Sequence, residues 1–375
     1  MKFVLLWSDA LFFLLIAMMI GGVWWASRQP HLADGLRQIR QNRVAMGSAA
    51  VLAVFFAIAF VDSLHYRPKL PDTPDGQARY STEVLSALDA LLMPLRTQTE
   101  KTYSAPLATH LFAKETLDDA GRDFPPLRYP GTHLFGTDKV GQDVLYLTLK
   151  SIRTALLIGT LTTLIMLPAA IGLGLLAGYM GGWVDDVIQY LYTTLNSIPG
   201  VLLIAASVLM MQVVIDTHPE WFATSAERAD ARLLALCAIL GITSWTGLCR
   251  LLRGETLKLR ELEYVQAARA LGVSSARILW RHILPNVMHI VLIAMVMDFS
   301  GLVLAEAVLS YVGIGVDPNT ISFGTMINTA RMELAREPMV WWSLAAAFIF
   351  MFVLVLAANL FADALRDAFD PRSVK

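Results

Sequence analysis

An all-α, polytopic membrane helix bundle of about seven transmembrane helices is the fold this sequence predicts. Three observations predict it. The 375 residues are 56% hydrophobic and only 16% charged, whereas an ordinary soluble domain is roughly 45–50% apolar and about 25% charged. Seven apolar stretches reach or approach the roughly 20 residues that a helix needs to cross a bilayer. Basic residues gather in alternate connections between those stretches.

The stretches lie near 4–25, 45–62, 154–178, 187–214, 232–251, 286–311 and 341–363. The first sits where a signal peptide would. Asp9 interrupts it, only Lys2 precedes the apolar run, and the Ala26-Ser27 after Trp25 makes a poor cleavage site, so it reads as an uncleaved helix. Gly174, Gly178 and Gly182 recur every fourth residue around the end of the third stretch, a pattern that lets helix backbones approach closely in lipid. Pro168 and Pro199 interrupt the third and fourth; a proline there kinks a helix and frees carbonyls that neighbours must satisfy. Trp341 and Trp342 open the seventh in the manner of an interfacial aromatic belt. Cys237 and Cys249, twelve residues apart, would lie roughly 18 Å apart on a helix. That is too far for a disulfide, and they read as packing residues.

Orientation follows from lysine and arginine in short loops. Arg28, Arg37, Arg40 and Arg43 follow the first stretch. Arg253, Lys258, Arg260, Arg269, Arg277 and Arg281 follow the fifth, and Arg366, Arg372 and Lys375 follow the seventh. These loops belong on the cytoplasmic side, which puts the N-terminus outside and the C-terminus in the cytoplasm. Dropping the first helix leaves every later orientation unchanged. The chain therefore divides into an N-terminal helix (1–30), a basic segment and second helix (31–62), an outer loop or small subdomain (63–150), a core bundle (151–363) with a cytoplasmic hairpin at 252–285, and a tail (364–375). Within the outer segment, Glu83–Met93 reads as weakly helical, with Pro94 ending it.

The most informative polar insert runs from Glu263 to Pro285. Residues 261–271 are good helix formers. Gly272 suits a helix C-cap, Ser274 suits the N-cap of a second helix over 275–283, and Pro285 marks the entrance to the next span. Ala268, Gly272 and Ser275 also fall on one small-residue stripe, a role that competes with the cap. Both readings make the turn a close-fitting place for a partner to grip, and a plain connecting loop is the simpler alternative.

Asp298 and Glu306 fall inside the sixth stretch, about two turns apart. A charge at bilayer depth costs roughly 2.5–3.5 kcal/mol on insertion scales, so each must face protein or water. They either line a translocation path or are held by hydrogen bonds between helices. Asn196 is a weaker candidate of the same kind. The sequence has no G-x-x-x-x-G-K-[ST] phosphate loop, H-E-x-x-H or G-x-S-x-G. No nucleotide, metal or nucleophile site is therefore assigned, and the basic loops read as topology signals rather than a nucleic-acid surface.

The hairpin residues carry a resemblance. Gln266-Ala267-Ala268, three residues, Gly272, nine residues, then His282-Ile283-Leu284-Pro285 resembles the EAA loop of ATP-binding-cassette importer permeases, with Gln266 in place of Glu and His282 in place of Ile. His133-Leu-Phe-Gly-Thr-Asp-Lys-Val-Gly-Gln-Asp-Val-Leu145, Leu304-Ala-Glu-Ala-Val-Leu-Ser-Tyr-Val-Gly-Ile-Gly315 and Ala364-Leu-Arg-Asp-Ala-Phe-Asp-Pro371 are similar to blocks of the C-type subunit of dipeptide, oligopeptide and nickel permeases. The resemblance implies a type I importer permease fold in the bacterial inner membrane. It also implies coupling through Gln266, Ala267, Ala268, Gly272, Ser274, His282, Leu284 and Pro285. The implied partners are two ATPase subunits that use ATP and magnesium, a second, B-type permease, an external substrate-binding protein and membrane lipid. This chain itself would bind no cofactor. Nickel or another small solute is the alternative cargo to peptides. An ion-coupled secondary transporter and a non-transporting scaffold are the other readings. The resemblance leaves out residues 1–30, so the first helix is an addition to the usual six.

Overall fold

Without water to satisfy its peptide groups, a membrane-spanning segment must bond its backbone internally, and this chain does so with helices. The computed structural model describes residues 2–369 apart from 29, 70–79, 118–120, 223 and 318. Among them, six helical rods are long and apolar enough to cross a membrane: Arg43–Asp62, Val144–Met180, Gly200–Thr217, Ser225–Leu259, Ser275–Val312 and Trp342–Ala368. The first apolar stretch forms a shorter apolar helix, Trp7–Gly22. The chain is a multi-pass membrane protein.

In chain order the helices are α1 (Trp7–Ser27), α2 (Pro30–Gln41), α3 (Arg43–Asp62), α4 (Ala87–Leu91), α5 (Met93–Thr97), α6 (Val144–Met180), α7 (Gly182–Ser197), α8 (Gly200–Thr217), α9 (Ser225–Ser244), α10 (Thr246–Leu259), α11 (Glu263–Ala270), α12 (Ser275–Ile278), α13 (Leu284–Val312), α14 (Phe323–Glu333) and α15 (Trp342–Phe369). The axis of the bundle is α6. Its Ile152, Leu156, Leu157 and Ile158 are wholly buried, and the same core holds Phe12 of α1, Phe55 of α3, Leu236 of α9 and Leu354 of α15.

The first helix is fastened into this core by charge as well as by packing. Asp9 is fully buried. It accepts from Arg153 Nη2 at 2.5 Å and pairs with His65 Nδ1 at 2.8 Å. The Ser8 amide donates to Asp230 of α9 at 3.1 Å. Ahead of α1, strand β1 (Lys2–Val4) pairs antiparallel with β2 (His65–Arg67), which pairs with β3 (Leu85–Ser86). A separate hairpin joins β4 (Glu115–Leu117) to β5 (Gly121–Asp123).

Several expectations need correction. The stretch 187–214 is not one helix: it breaks at Ile198-Pro199 into α7 and α8, because proline has no amide to continue the ladder. Pro168, by contrast, lies within the unbroken α6. Pro94 does not end a helix but sits in the first turn of α5, where its missing donor costs nothing. The core bundle begins at Val144 rather than 151, capped by the Asp143 carboxylate, which accepts from the Leu145 and Tyr146 amides at 2.8 and 3.1 Å. Trp342 is no belt residue. It is 2% exposed and its indole donates to Thr137 O at 2.9 Å, while Trp341 is 51% exposed.

Candidate functional site

The site is built from the polar insert and the two rods that flank it. One rod is α9 with α10, interrupted at Trp245 and extending past the expected end of the fifth span to Leu259. The other begins at Ser275 and continues through Pro285 to Val312. The expected short helix over 275–283 is thus the first two turns of the sixth span. Residues Leu279–Ile283 are wound as a π-helix, and the Leu284 amide reaches back five residues to Leu279 O. A widened turn directly before Pro285 accommodates the donor that proline lacks.

Between the rods, α11 ends in a Schellman motif. Gly272 has φ +75°, its amide donates to Arg269 O at 3.0 Å, and the Val273 amide donates to Ala268 O at 3.1 Å. The cap role of Gly272 therefore prevails over the small-residue stripe. The turn is also not crowded within this chain: a Cβ on Gly272 would meet nothing within 4 Å. Ser274 precedes α12 in extended backbone but makes no side-chain cap.

The hairpin is amphipathic. Val265, Ala268, Ile278, Leu279, Ile283 and Leu284 are buried in a cluster shared with Met166 of α6 and Leu252 of α10. Gln266, Ala267 and Pro285 are exposed on its outer side. Gln266 Nε2 donates to Glu261 O at 3.2 Å. His282 is half-buried, its ring 6.3 Å from that of Tyr264, and its carbonyl accepts from Asn286 at 2.6 Å. Leu271, at the tip, is 84% exposed and Trp280 is 73% exposed. The sequence reading passed over both; the signal for Leu271 was an apolar side chain at an otherwise polar turn. At the base, Arg253 grips Asp185 of α7 with two bonds, at 2.5 and 2.7 Å, and Arg260 donates to Gly178 O at 3.1 Å.

A cleft of about 770 Å³ opens beside the hairpin between α10 and α13. Asp298, His289, Asn286 and Glu255 line it, with Arg366 of α15. Asp298 is half-buried, and no hydrogen bond or ion pair is formed by its carboxylate among the described residues. Glu306 is elsewhere. It is 1% exposed and accepts from the Ser310 and Ser322 hydroxyls at 2.7 and 2.9 Å, wedged where α13 meets α14. Asn196 accepts from the Thr246 hydroxyl at 3.0 Å, tying α7 to α10. The structure therefore separates the three intramembrane candidates: one faces a cleft, and two bond to neighbouring helices.

Residues 170–375, which include the hairpin, the cleft and the last span, match the family model described as "Binding-protein-dependent transport system inner membrane component". The chain belongs to this family. The oligopeptide transport system permease protein OppC of Mycobacterium tuberculosis is 36% identical over 248 residues, which is 66% of this chain and 79% of that protein. The dipeptide transport system permease protein DppC of Lactococcus lactis is 27% identical over 340 residues, 91% of this chain and 90% of that one. The glutathione transport system permease protein GsiD of Pectobacterium atrosepticum is 34% identical over 242 residues, 64% of this chain and 73% of that one. The inward-facing MetNI methionine ABC transporter aligns at TM-score 0.44 with 15% identity, over 60% of this chain and 98% of that one.

Proposed function

We propose that this chain is the C-type membrane-spanning subunit of an ATP-binding-cassette importer for di- and oligopeptides. The observation that carries the reading is the hairpin's continuity with the spans. Its exposed tip, Leu271, is joined through the short turn 272–274 to the rod Ser275–Val312, which carries the exposed Trp280 and Asp298 beside the cleft. A force on the tip therefore tilts the wall of the cleft.

In this reading two cytoplasmic ATPase subunits hold the tip and close on each other when they bind ATP and magnesium. The bundle exchanges inward- and outward-open states, with the nucleotide shifting the population. A second, B-type permease completes the pore, and an external binding protein delivers the cargo. The N-terminus lies outside and the C-terminus in the cytoplasm. This chain holds no nucleotide or metal and catalyses no reaction. Asp298 meets the ammonium group of a peptide as it passes. The names of the relatives, which speak of oligopeptide and dipeptide transport, support the cargo class over nickel and other small solutes.

Gentle detergent purification from the host membrane, followed by mass spectrometry, tests the assembly. Co-purification of ATPase subunits and a second permease, with peptide uptake by proteoliposomes that requires ATP, is the expected result. A folded chain that purifies alone and moves cargo on an ion gradient would overturn it.

A further inference from the structure

A second, wholly different groove of about 350 Å³ opens between α1 and the core, in the half of the bundle nearest the hairpin. Met18 and Met19 of α1, Leu52 of α3, Leu164 of α6, Met295 of α13 and Leu365 of α15 are among its walls. Two hydroxyls stand there, but each is turned into its own helix: Thr160 donates to Leu156 O at 2.5 Å and Thr163 to Gly159 O at 2.6 Å. The groove therefore offers hydrocarbon a matching surface and offers a polar ligand no donor.

Helix α2 lies at the end of this groove. Its Ile39 is buried in a cluster with Ala45 and Ala364, against which Phe361 and Leu365 pack, and those last two residues also line the groove. Arg37 and Arg40 flank Ile39 with exposed side chains, and the exposed Arg43 opens α3 immediately after. No ion pair is formed by any of the three among the described residues. The segment 30–43 carries one acid, Asp34, against them. On α15, Asp363 follows Phe361 by two residues, about 200° round the helix and hence on the far side from it.

We propose that the groove and these arginines form a site for an anionic phospholipid. An acyl chain lies along α1, and the headgroup phosphate sits among Arg37, Arg40 and Arg43. Cationic side chains at a membrane surface favour anionic over zwitterionic lipid severalfold apiece, and an unpaired guanidinium is a strong phosphate donor. The bound lipid mortars the first helix to the core. The inference depends on the chain's being in a membrane and not on what cargo it carries.

Native mass spectrometry of the full chain, with whatever subunits co-purify, tests it. The delipidated protein is offered equal phosphatidylglycerol and phosphatidylcholine of identical acyl chains. The expected result is a preference for phosphatidylglycerol on the order of tenfold. Replacing the arginines together (Arg37→Gln, Arg40→Gln, Arg43→Gln) brings the ratio close to one and leaves the total lipid retained unchanged. Met19→Trp, which fills the groove, lowers retention of both lipids. Should the triple variant fail to insert, Arg40→Gln alone carries the test. Equal retention by the unaltered chain, or a preference that survives loss of the arginines, would overturn the site. So would a photo-crosslinker in place of Met19 that captures a second permease chain instead of lipid.

Discussion

At the scale of the residue, two buried or half-buried aspartates play opposite parts. Asp9 is shielded from water and held by an arginine and a histidine, so its charge is a fastening. Removing one partner of such a pair strands the other, at a cost of about 3 kcal/mol. Asp9→Asn should lower the thermal midpoint in detergent measurably, while Asp298→Asn should leave it nearly unchanged. Asp298 has a cleft in front of it rather than a partner. If it meets a cargo ammonium, neutralising it removes a charge-assisted contact worth about 1.5–3 kcal/mol, and peptide uptake should fall roughly tenfold. Uptake equal to the unaltered chain at equal expression would dismiss that role. The block from His133 to Leu145 is likewise explained residue by residue. His133 Nδ1 bonds Asp143 at 2.9 Å, and Asp143 caps α6. Gly141 has φ +76° and stands where a Cβ would lie 1.9 Å from Glu100 O. Outside the membrane, Asp89 shows the same logic. Burial opposes its ionisation, but Lys150, the Ser86 amide and Tyr146 outweigh burial and hold its carboxyl below the usual range. Its folded pKa is depressed, so the stability it contributes is present above the ordinary carboxylate range and is lost as pH falls through the lowered value.

At the scale of the element, glycines decide how closely rods approach. A Cβ on Gly174 would lie 2.8 Å from Cys249 O, and one on Gly178 would lie 2.5 Å from Thr256 Cβ. These two let α6 pack against α10. Gly182, the third member of the sequence pattern, is not part of that contact: it opens α7 at φ +54° with nothing near it. Gly178→Val should therefore overpack the interface and lower stability by about 1–3 kcal/mol. Gly182→Ala should cost only the left-handed backbone strain, about 1–2 kcal/mol, and should leave the α6–α10 packing intact by cysteine crosslinking across that interface. The hairpin makes a similar distinction. Gly272 is needed for its φ and not for space. Gly272→Asn, which tolerates that conformation, should retain most uptake. Gly272→Val should insert normally yet transport poorly, because the Schellman turn that sets the tip is strained. Equal uptake by the two variants would show that the turn's shape does not matter.

At the scale of the whole molecule, the hairpin and the β-structured lobe lie at opposite ends of the bundle. The native cysteines, Cys237 and Cys249, are both buried and so should stay silent to a membrane-impermeant thiol reagent. Leu271→Cys and Leu107→Cys, at exposed positions, should label only from the cytoplasmic and the outer face respectively. Labelling of both from one face would refute the topology. Helix α1 is part of this architecture and not an appendage: its Phe12 and Leu15 belong to the main core, and its Asp9 is bonded to α6.

The sequence by itself determined the class of molecule, the long apolar helices and the place of the polar hairpin. Those depend on composition and on local rules: apolar length, the positions of arginine, and glycine after a helix. It also limited Gly272 to a cap or a stripe, and the choice fell to the cap once the Val273 amide found Ala268 O. Only the tertiary structure decided which intramembrane polar groups face open space. Asp298 and Glu306 look alike along the chain, but α14 folds back onto Glu306 with Ser322, whereas Asp298 faces a cleft. The burial of Trp342, the partners of Asp9 and the basic mouth of the groove beside α1 were hidden for the same reason. Each depends on residues tens to hundreds of positions away, and periodicity and spacing report only on near neighbours.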